Sequence, residues 1–399
     1  MKAIVNGYLV FPEEIRKGTL LLDGETIIAA GDVCVPQDAE VIDAQGLYVG
    51  SGLFDEHLHG YKQCGDRYMV TENVRNMALC HLKHGTTSLT PSTAYNMSHE
   101  DFLTVIRQSN ECIGAGDTNI VGIHFEGPFT NPVHGANSEL AWEYSDELCE
   151  MIFSAAGKNV LHCTYAPEMP HAREVEKVLR ERGVIADIGH TRSDPENIYK
   201  AVKAGAKIVT HLFDAMGNYR GKEEAFNMTG DPQDCVSDIV LSIPGLYYEL
   251  ICDSRGAHVT PVSQRQTLRC AGEDYVIVIS DCTARPDSQS LRAADYPEND
   301  PRSAWDLNFN LRGQLSGSCL TTADSAANFM KNTGCDMRVA FKCASTNSAK
   351  ALGLYDKLGS IHPGKTANLV LADEHFGVKN VIFRGKELDE VRAGGKRVK

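Results

Sequence analysis

The stretch Gly52-Leu53-Phe54-Asp55-Glu56-His57-Leu58-His59-Gly60 is an apolar run that ends in two histidines at positions i and i+2. Side chains alternate faces along an extended strand, so His57 and His59 share one face, roughly 6.6 Å apart at ~3.3 Å per residue. Two imidazoles so placed can chelate one cation. Asp55 stands before them, and Gly60 after them permits a sharp exit from the strand. The same construction recurs downstream. His124-Phe125-Glu126-Gly127-Pro128 closes an apolar run at 120–126, Gly189-His190 one at 184–190, Thr210-His211 one at 208–211, and Ser280-Asp281 one at 275–281.

Working outward, further apolar runs at 87–91, 160–166 and 248–253 bring the number to eight, and segments with helical periodicity lie between them at 71–84, 98–109, 144–156, 170–182, 194–204 and 260–270. Strands that are apolar throughout rather than alternating are buried on both faces, the signature of a parallel sheet covered by crossover helices. Eight such units imply a closed (β/α)8 barrel of the TIM type, an α/β fold in which functional groups gather at the C-terminal ends of the strands. A doubly wound open sheet is the other solution, but it spreads eight strand ends too widely to converge on one metal site.

Both termini have a different texture. Residues 1–46 read as short strands with turns, including the hairpin dipeptide Asp23-Gly24, and 367–372 and 381–386 read the same way. Neither piece has enough strands for a stable core. The two are expected to pair into one small β domain, residues 1–50 with 355–399, around a barrel of residues 51–354.

The chain has 399 residues, 42% hydrophobic, with a net charge of −14. That acidity disfavours nucleic acid or an anionic membrane as a partner, whereas a small anionic substrate needs only one local cationic pocket. Its 13 cysteines form no CxxC pair and several lie inside expected strands, so they read as reduced core residues. No signal peptide and no apolar run of ~20 residues is visible. A cytoplasmic location is expected.

Glu126 in an apolar barrel mouth is costly unless paired with a cation, and its two oxygens can bridge two metals. His124 shares its face and fits a supporting place better than a ligand's. His190 and His211 each end a strand. Asp281 can take a proton from an attacking water and return it to a leaving nitrogen, while a metal would polarise the scissile carbonyl. His258 could orient a substrate carbonyl or hydroxyl. His81, His84, His99, His134, His162, His171, His362 and His375 are assigned no chemistry. Imidazole and carboxylate donors suit Zn, Fe, Mn, Co or Ni comparably, as one or two ions per subunit.

These residues, in this order, resemble the amidohydrolase superfamily, and more narrowly the N-acetylglucosamine-6-phosphate deacetylase family. The phrases His124-Phe125-Glu126-Gly127-Pro128-Phe129 and Thr210-His211-Leu212-Phe213-Asp214-Ala215-Met216 carry the specific part. Ala166-Pro167-Glu168, Gly256-Ala257-His258-Val259, Leu315-Ser316-Gly317-Ser318 and Gly364-Lys365-Thr366-Ala367-Asn368-Leu369 extend it over nearly the whole chain. The resemblance implies a (β/α)8 barrel with a β-sandwich built from both termini, and a homodimer. It implies that Glu126, His190 and His211 hold the principal metal, that His57 and His59 supply a second site found in some members, and that Asp281 is the catalytic acid/base. His258 would contact the acetyl carbonyl or the sugar. No lysine ends the fourth strand, so Glu126 would stand where some relatives carry a carbamylated lysine.

Departures gather at the substrate end. Asp214-Ala215 stands where the family usually has Asn-Ala, and an acidic side chain there would repel a phosphate. Gly221-Lys222 stands for Gly-Arg, with Arg220 adjacent, Gly135-Ala136-Asn137 stands for Gly-Ala-His, and the usual Asp-Gly-x-His is interrupted as Asp253-Ser254-Arg255-Gly256-Ala257-His258. His258, Asp214, Ala215, Asn137, Lys222 and Arg255 are therefore the expected substrate contacts. The expected activity is hydrolysis of the acetamido group of an N-acetyl amino sugar, N-acetylglucosamine-6-phosphate first. The alternatives are a different N-acyl sugar, a cyclic amide, or a non-catalytic sugar-binding homologue. The last would be marked by loss of Asp281 or a ligand, and neither is lost.

Overall fold

The computed structural model describes residues 1–135, 142–217, 235–285, 290–291 and 295–388. Eight parallel strands lie side by side in sequence order: β1 (Leu53–Leu58), β2 (Thr86–Ala94), β3 (Ile123–Glu126), β4 (Val160–Tyr165), β5 (Ile185–Ile188), β6 (Ala206–Val209), β7 (Tyr247–Ile251) and β8 (Val276–Ile279). Each overlaps one expected apolar run. The last strand returns to the first at the mouth, where Asp281 N donates to His57 O at 3.0 Å and His59 N donates to Cys282 O at 2.7 Å. An open doubly wound sheet could not make those bonds, because its first and last strands would not meet; the fold is the (β/α)8 barrel.

The crossover helices begin and end where local chemistry directs. Ser98, Ser145, Asp194 and Thr260 accept the backbone N–H three residues on, at the starts of His99–Ala115, Asp146–Ala156, Pro195–Ala204 and Pro261–Ala271. Gly116, Gly183 and Gly205 adopt left-handed conformations that stop their helices. Several helices were not foreseen, among them a run over residues 337–351 and two others. Val236–Leu241 is too short to show a helical period, and Thr322–Thr333 follows an excursion that carries Ser290–Leu291, Leu307–Asn310 and Leu315–Ser318 as a small sheet.

The barrel interior also departs from uniform apolarity. Phe54, Ile208, Tyr247 and Ile277 pack together inside, but Glu56, His124, His162, Thr164, Asp187, Thr210 and Glu249 are equally buried. His124 and His162 stack at 4.0 Å. Every ring nitrogen of the pair has a partner: Ser92 Oγ at 2.9 Å and Thr164 Oγ1 at 3.0 Å for His124, Asp187 Oδ2 at 2.6 Å and Thr90 Oγ1 at 3.3 Å for His162. This polar plug supports the mouth from below, and because all four ring nitrogens of the stacked pair are already engaged it reads as a structural element rather than a second cation site.

The terminal strands form one eight-stranded sheet. Leu369–Ala372 pairs antiparallel with Tyr48–Ser51, and Lys2–Val10 shares its second edge between Glu40–Asp43 and Tyr48–Ser51. The sheet folds back on itself where Ile27 N donates to Lys365 O at 2.9 Å and Ala367 N to Glu25 O at 2.7 Å. Ile4, Leu20, Ile27, Val49, Leu369 and Ile382 fill a separate core.

Glu273, just before β8, takes two bonds from Arg338 at 2.6 and 2.8 Å and one from Lys342 at 2.7 Å, while Arg338 also donates to Pro12 O at 3.0 Å. This knot ties the base of the barrel to the small sheet. The Arg338 guanidinium, and then the Lys342 ammonium, hold the Glu273 carboxyl down at about 2, against an ordinary 4.5. A lowered carboxylate stabilises the fold fully above its unfolded value and loses that contribution as pH falls through the folded one. Glu273→Gln is therefore expected to melt below the parent at pH 7, with the gap closing between about pH 4.5 and pH 2; parallel melting curves across that range would exclude the linkage.

Candidate functional site

His57 and Glu126 lie within β1 and β3, but three other strands stop before their expected site residues. β5, β6 and β8 end two residues short of His190, His211 and Asp281, and those three adopt positive φ of 46°, 28° and 45°. A left-handed conformation costs a non-glycine residue of order 1 kcal/mol or more, a cost commonly found at functional sites. The reversal aims each side chain over the mouth instead of along the strand. Neighbouring exits hold it in place: Gly189 N donates to Tyr165 O, Thr210 N to Ile188 O, Leu212 N to Glu249 O and Ser318 N to Asp281 O. Gly60 corrects one expectation. The chain does leave the barrel strand here, but the bend falls at His59 and Gly60 opens the strand Gly60–Gln63 of a separate two-stranded sheet, where glycine is needed because a Cβ would sit 2.7 Å from Ala284 N.

The imidazoles converge on Glu126. Its Oε1 lies 2.8 Å from His190 Nε2, 3.2 Å from His211 Nε2 and 3.2 Å from His57 Nε2, and its Oε2 lies 3.3 Å from His59 Nε2. Asp281 Oδ1 stands 3.6 Å from His59 Nε2 and 3.8 Å from His57 Nε2. The far sides of the rings fix their tautomers. His190 Nδ1 donates to His134 O at 2.7 Å, and His211 Nδ1 donates to Asp214 O at 3.2 Å. A carbonyl only accepts, so the proton sits on Nδ1 and the Nε2 lone pairs face the centre. His190 and His211 consequently bring two Nε2 atoms to 3.0 Å with a carboxylate oxygen beside them. Such a set fits a cation: ligand atoms of a tetrahedral site with ~2.0–2.1 Å bonds stand ~3.3 Å apart.

The electrostatics agree. Burial opposes charge on Glu126, yet the facing imidazoles of His190, His57 and His59 hold its carboxyl well below the usual range. Burial likewise opposes a charged His211, but its bond to Glu126 lifts it to about 9. His57 rises well above an ordinary histidine because Glu249 and Glu126 outweigh its burial. The pocket is built for positive charge.

Glu249 was missed by sequence reading. It sits fully buried on β7, accepting from His57 Nδ1 at 3.1 Å and from the backbone N–H of His211 at 3.1 Å. One carboxylate thus orients a ring of the expected second metal position and the backbone of the first. The available signal was a lone acid in Tyr247-Tyr248-Glu249-Leu250-Ile251, since an apolar strand buries a charge only with a partner. Its neighbour Glu56 is pushed well above the usual carboxylate range by burial and by the Glu249 charge. Glu249→Gln keeps one oxygen able to accept both contacts, which meet at Oε2, but removes the negative charge that faces His57. It is expected to weaken metal binding or turnover about 10–100-fold, read by metal content after dialysis and by kcat; parent-like values would leave Glu249 without this role.

Above the ligands opens a cavity of about 560 Å³ whose floor includes His59, Glu126, His190, His211 and Asp281. Asp214 and Ala215 line its wall, with the Asp214 carboxylate accepting from Ala215 N at 2.9 Å. His258 lies beside it, with Nδ1 held by Asp253 at 3.1 Å and a buried Nε2 that has no hydrogen-bond partner among the described residues. Asp253 also accepts from the backbone N–H of Arg255, Ala257 and His258, all at 2.9 Å, and so absorbs the interrupted motif. Arg255 is left exposed on that loop and does not line the cavity. Asn137 and Lys222, with Arg220, lie outside the described residues. Among the lining residues that were not anticipated are Tyr95, whose ring is 4.6 Å from that of His190, and Arg285.

The sequence signature of the amidohydrolase family matches residues 48–388. Among curated proteins the chain is similar to N-acetylglucosamine-6-phosphate deacetylase of Bacillus subtilis, 28% identical over 85% of this chain and 86% of that protein. It is 26% identical to the protein of that name from Bos taurus, over 95% of both. Among solved structures, the N-acetylglucosamine-6-phosphate deacetylase of Pasteurella multocida superimposes with a TM-score of 0.82 at 25% identity, covering 97% of this chain and 99% of that one. A dihydropyrimidinase from Brevibacillus agri shares the fold at a TM-score of 0.61 and 16% identity, covering 97% of this chain and 94% of that one.

Proposed function

The chain belongs to the amidohydrolase family, and from that premise we propose that it is a metal-dependent deacetylase that hydrolyses the acetamido group of an N-acetyl amino sugar, with N-acetylglucosamine-6-phosphate as the leading substrate. The observation that carries this reading is the convergence of His57, His59, Glu126, His190 and His211 at one mouth, with Asp281 beside them and open to the cavity.

Glu126, His190 and His211 would hold the principal ion, and His57 and His59 offer a second position. A divalent metal held there supplies Lewis acidity toward the scissile carbonyl and acidifies the attacking water. Asp281 takes the proton of that water and delivers it to the amide nitrogen as the C–N bond breaks, so acetate and a free amine leave. His258, steadied through Nδ1 by Asp253, offers its Nε2 to the acetyl carbonyl or a sugar hydroxyl. Zn, Fe, Mn, Co and Ni all suit these donors. A homodimer is part of the same proposal. So is a cytoplasmic location, with which thiols kept free of disulfides agree; no described helix is long and apolar enough to cross a membrane.

The test is acetate release across N-acetyl hexosamines, with and without the 6-phosphate, on protein of measured metal content. Stoichiometric acetate and amine are expected. Ring opening of a cyclic amide without acetate release would move the chain to another amidohydrolase activity.

A further inference from the structure

The phosphate-holding positions of the related deacetylases are altered here, and Asp214 adds a negative charge to the cavity wall. Arg285 is the one lysine or arginine among the described residues that line this cavity. Its backbone neighbours are held on several sides. His59 N donates to Cys282 O at 2.7 Å, Thr283 N donates to Ser318 O at 2.8 Å, and Arg67 Nη1 donates to Ala284 O at 2.7 Å. Ala284 itself packs against Gly60, where no larger residue fits. The segment carrying Arg285 is therefore fixed to β1 and to Leu315–Ser318 rather than free to swing.

The guanidinium is half-buried, and its charge acts on Tyr95 and Asp281, which places it in the field of the reacting end of the cavity. Arginine stays charged even when desolvated, and its planar fork matches the oxygens of a phosphate or carboxylate. In a cavity whose lining also includes the carboxylates of Glu72, Asp101, Glu126, Asp214 and Asp281 and the imidazoles of His59, His190 and His211, this guanidinium offers an anionic group a charge-matched contact outside the metal-ligand cluster.

Resting on the deacetylase reading, we propose that Arg285 is the specificity residue of this cavity, and that it selects N-acylated sugars bearing an anionic group, a phosphate or a carboxylate. It stands in for the altered phosphate segment, and it marks the substrate class as anionic rather than neutral.

The experiment measures kcat/KM for N-acetylglucosamine, its 6-phosphate and N-acetylglucosaminuronate on metal-loaded parent, Arg285→Gln and Arg285→Lys, with melting temperature and metal content recorded for each. One anionic sugar is expected to exceed the neutral one in the parent, and the phosphate and carboxylate arms identify which. Arg285→Gln should collapse that ratio about 10–100-fold, the effect of losing a charge-assisted hydrogen-bonded pair, mainly through KM, with Arg285→Lys in between. An equal fall for neutral and anionic sugars, or a parent that prefers the neutral sugar, overturns the proposal. If no N-acetyl sugar is turned over, the deacetylase reading fails separately, and calorimetric binding of glucose 6-phosphate and glucuronate decides Arg285. Weaker binding in Arg285→Gln then supports it as an anion reader; indifference to the substitution, or no binding of either, overturns it.

Discussion

Asp281→Asn should lower kcat by about 10³-fold or more while the ion at Glu126, His190 and His211 stays bound. General acid–base groups contribute about 10²–10⁴-fold when one proton transfer is lost, and Asp281 is proposed for two transfers in one turnover. Asparagine keeps the shape but cannot carry a proton. The three ligands of the principal ion remain, because Asp281 stands 3.6–3.8 Å from His59 and His57 rather than among them. Single-turnover acetate release and metal analysis on the same preparation make the check. Full activity in the variant would remove Asp281 from the mechanism, and loss of the ion along with activity would recast it as a ligand.

Glu126→Gln should act at the other end of the chemistry, by releasing the metal. Glu126 is the anion at the centre of four imidazoles, with three Nε2 atoms within 3.2 Å of one oxygen and a fourth 3.3 Å from the other. An amide there offers one weaker donor atom and no charge to balance a divalent ion. Metal affinity is expected to fall about 100-fold or more, at the upper end of what even a supporting contact costs, with turnover falling alongside. Equilibrium dialysis against a graded chelator reads the affinity. A variant that holds its metal as tightly as the parent would show that the histidines suffice and that Glu126 is not a ligand.

The barrel was legible in the chain because eight apolar runs alternated with segments of helical period, and six of the runs ended in residues too polar for a core. The convergence proposed as a metal centre was legible for the same reason: His57, Glu126, His190, His211 and Asp281 interrupt apolar surroundings, and buried groups of that kind call for a shared partner. Glu249 breaks an apolar strand in the same way yet went unread, because it does not stand at a strand end and its partners come from β1 and from beyond β6. Arg285 gave no local signal. Its place in the cavity follows from Gly60 and Ser318 holding the chain after β8, contacts between residues more than thirty and two hundred positions apart. Arg255 failed in the opposite sense: the sequence set it beside His258, but Asp253 gathers the loop amides and turns that side chain outward. Sequence spacing reports which residues share a strand face. It does not report which way an irregular loop points.

At the exits of β5, β6 and β8 the backbone is held in a left-handed conformation by residues that have a Cβ. Resistance to unfolding alone would favour glycine or asparagine at positions 190, 211 and 281, where those residues adopt the conformation readily. Catalysis and robustness therefore pull in opposite directions at these three residues, and a search for hardier variants should find them at the rim only as inactive ones. Useful stabilising changes are to be sought on the helices and the small sheet, where left-handed residues such as Gln45 and Arg384 carry no part of the proposed chemistry.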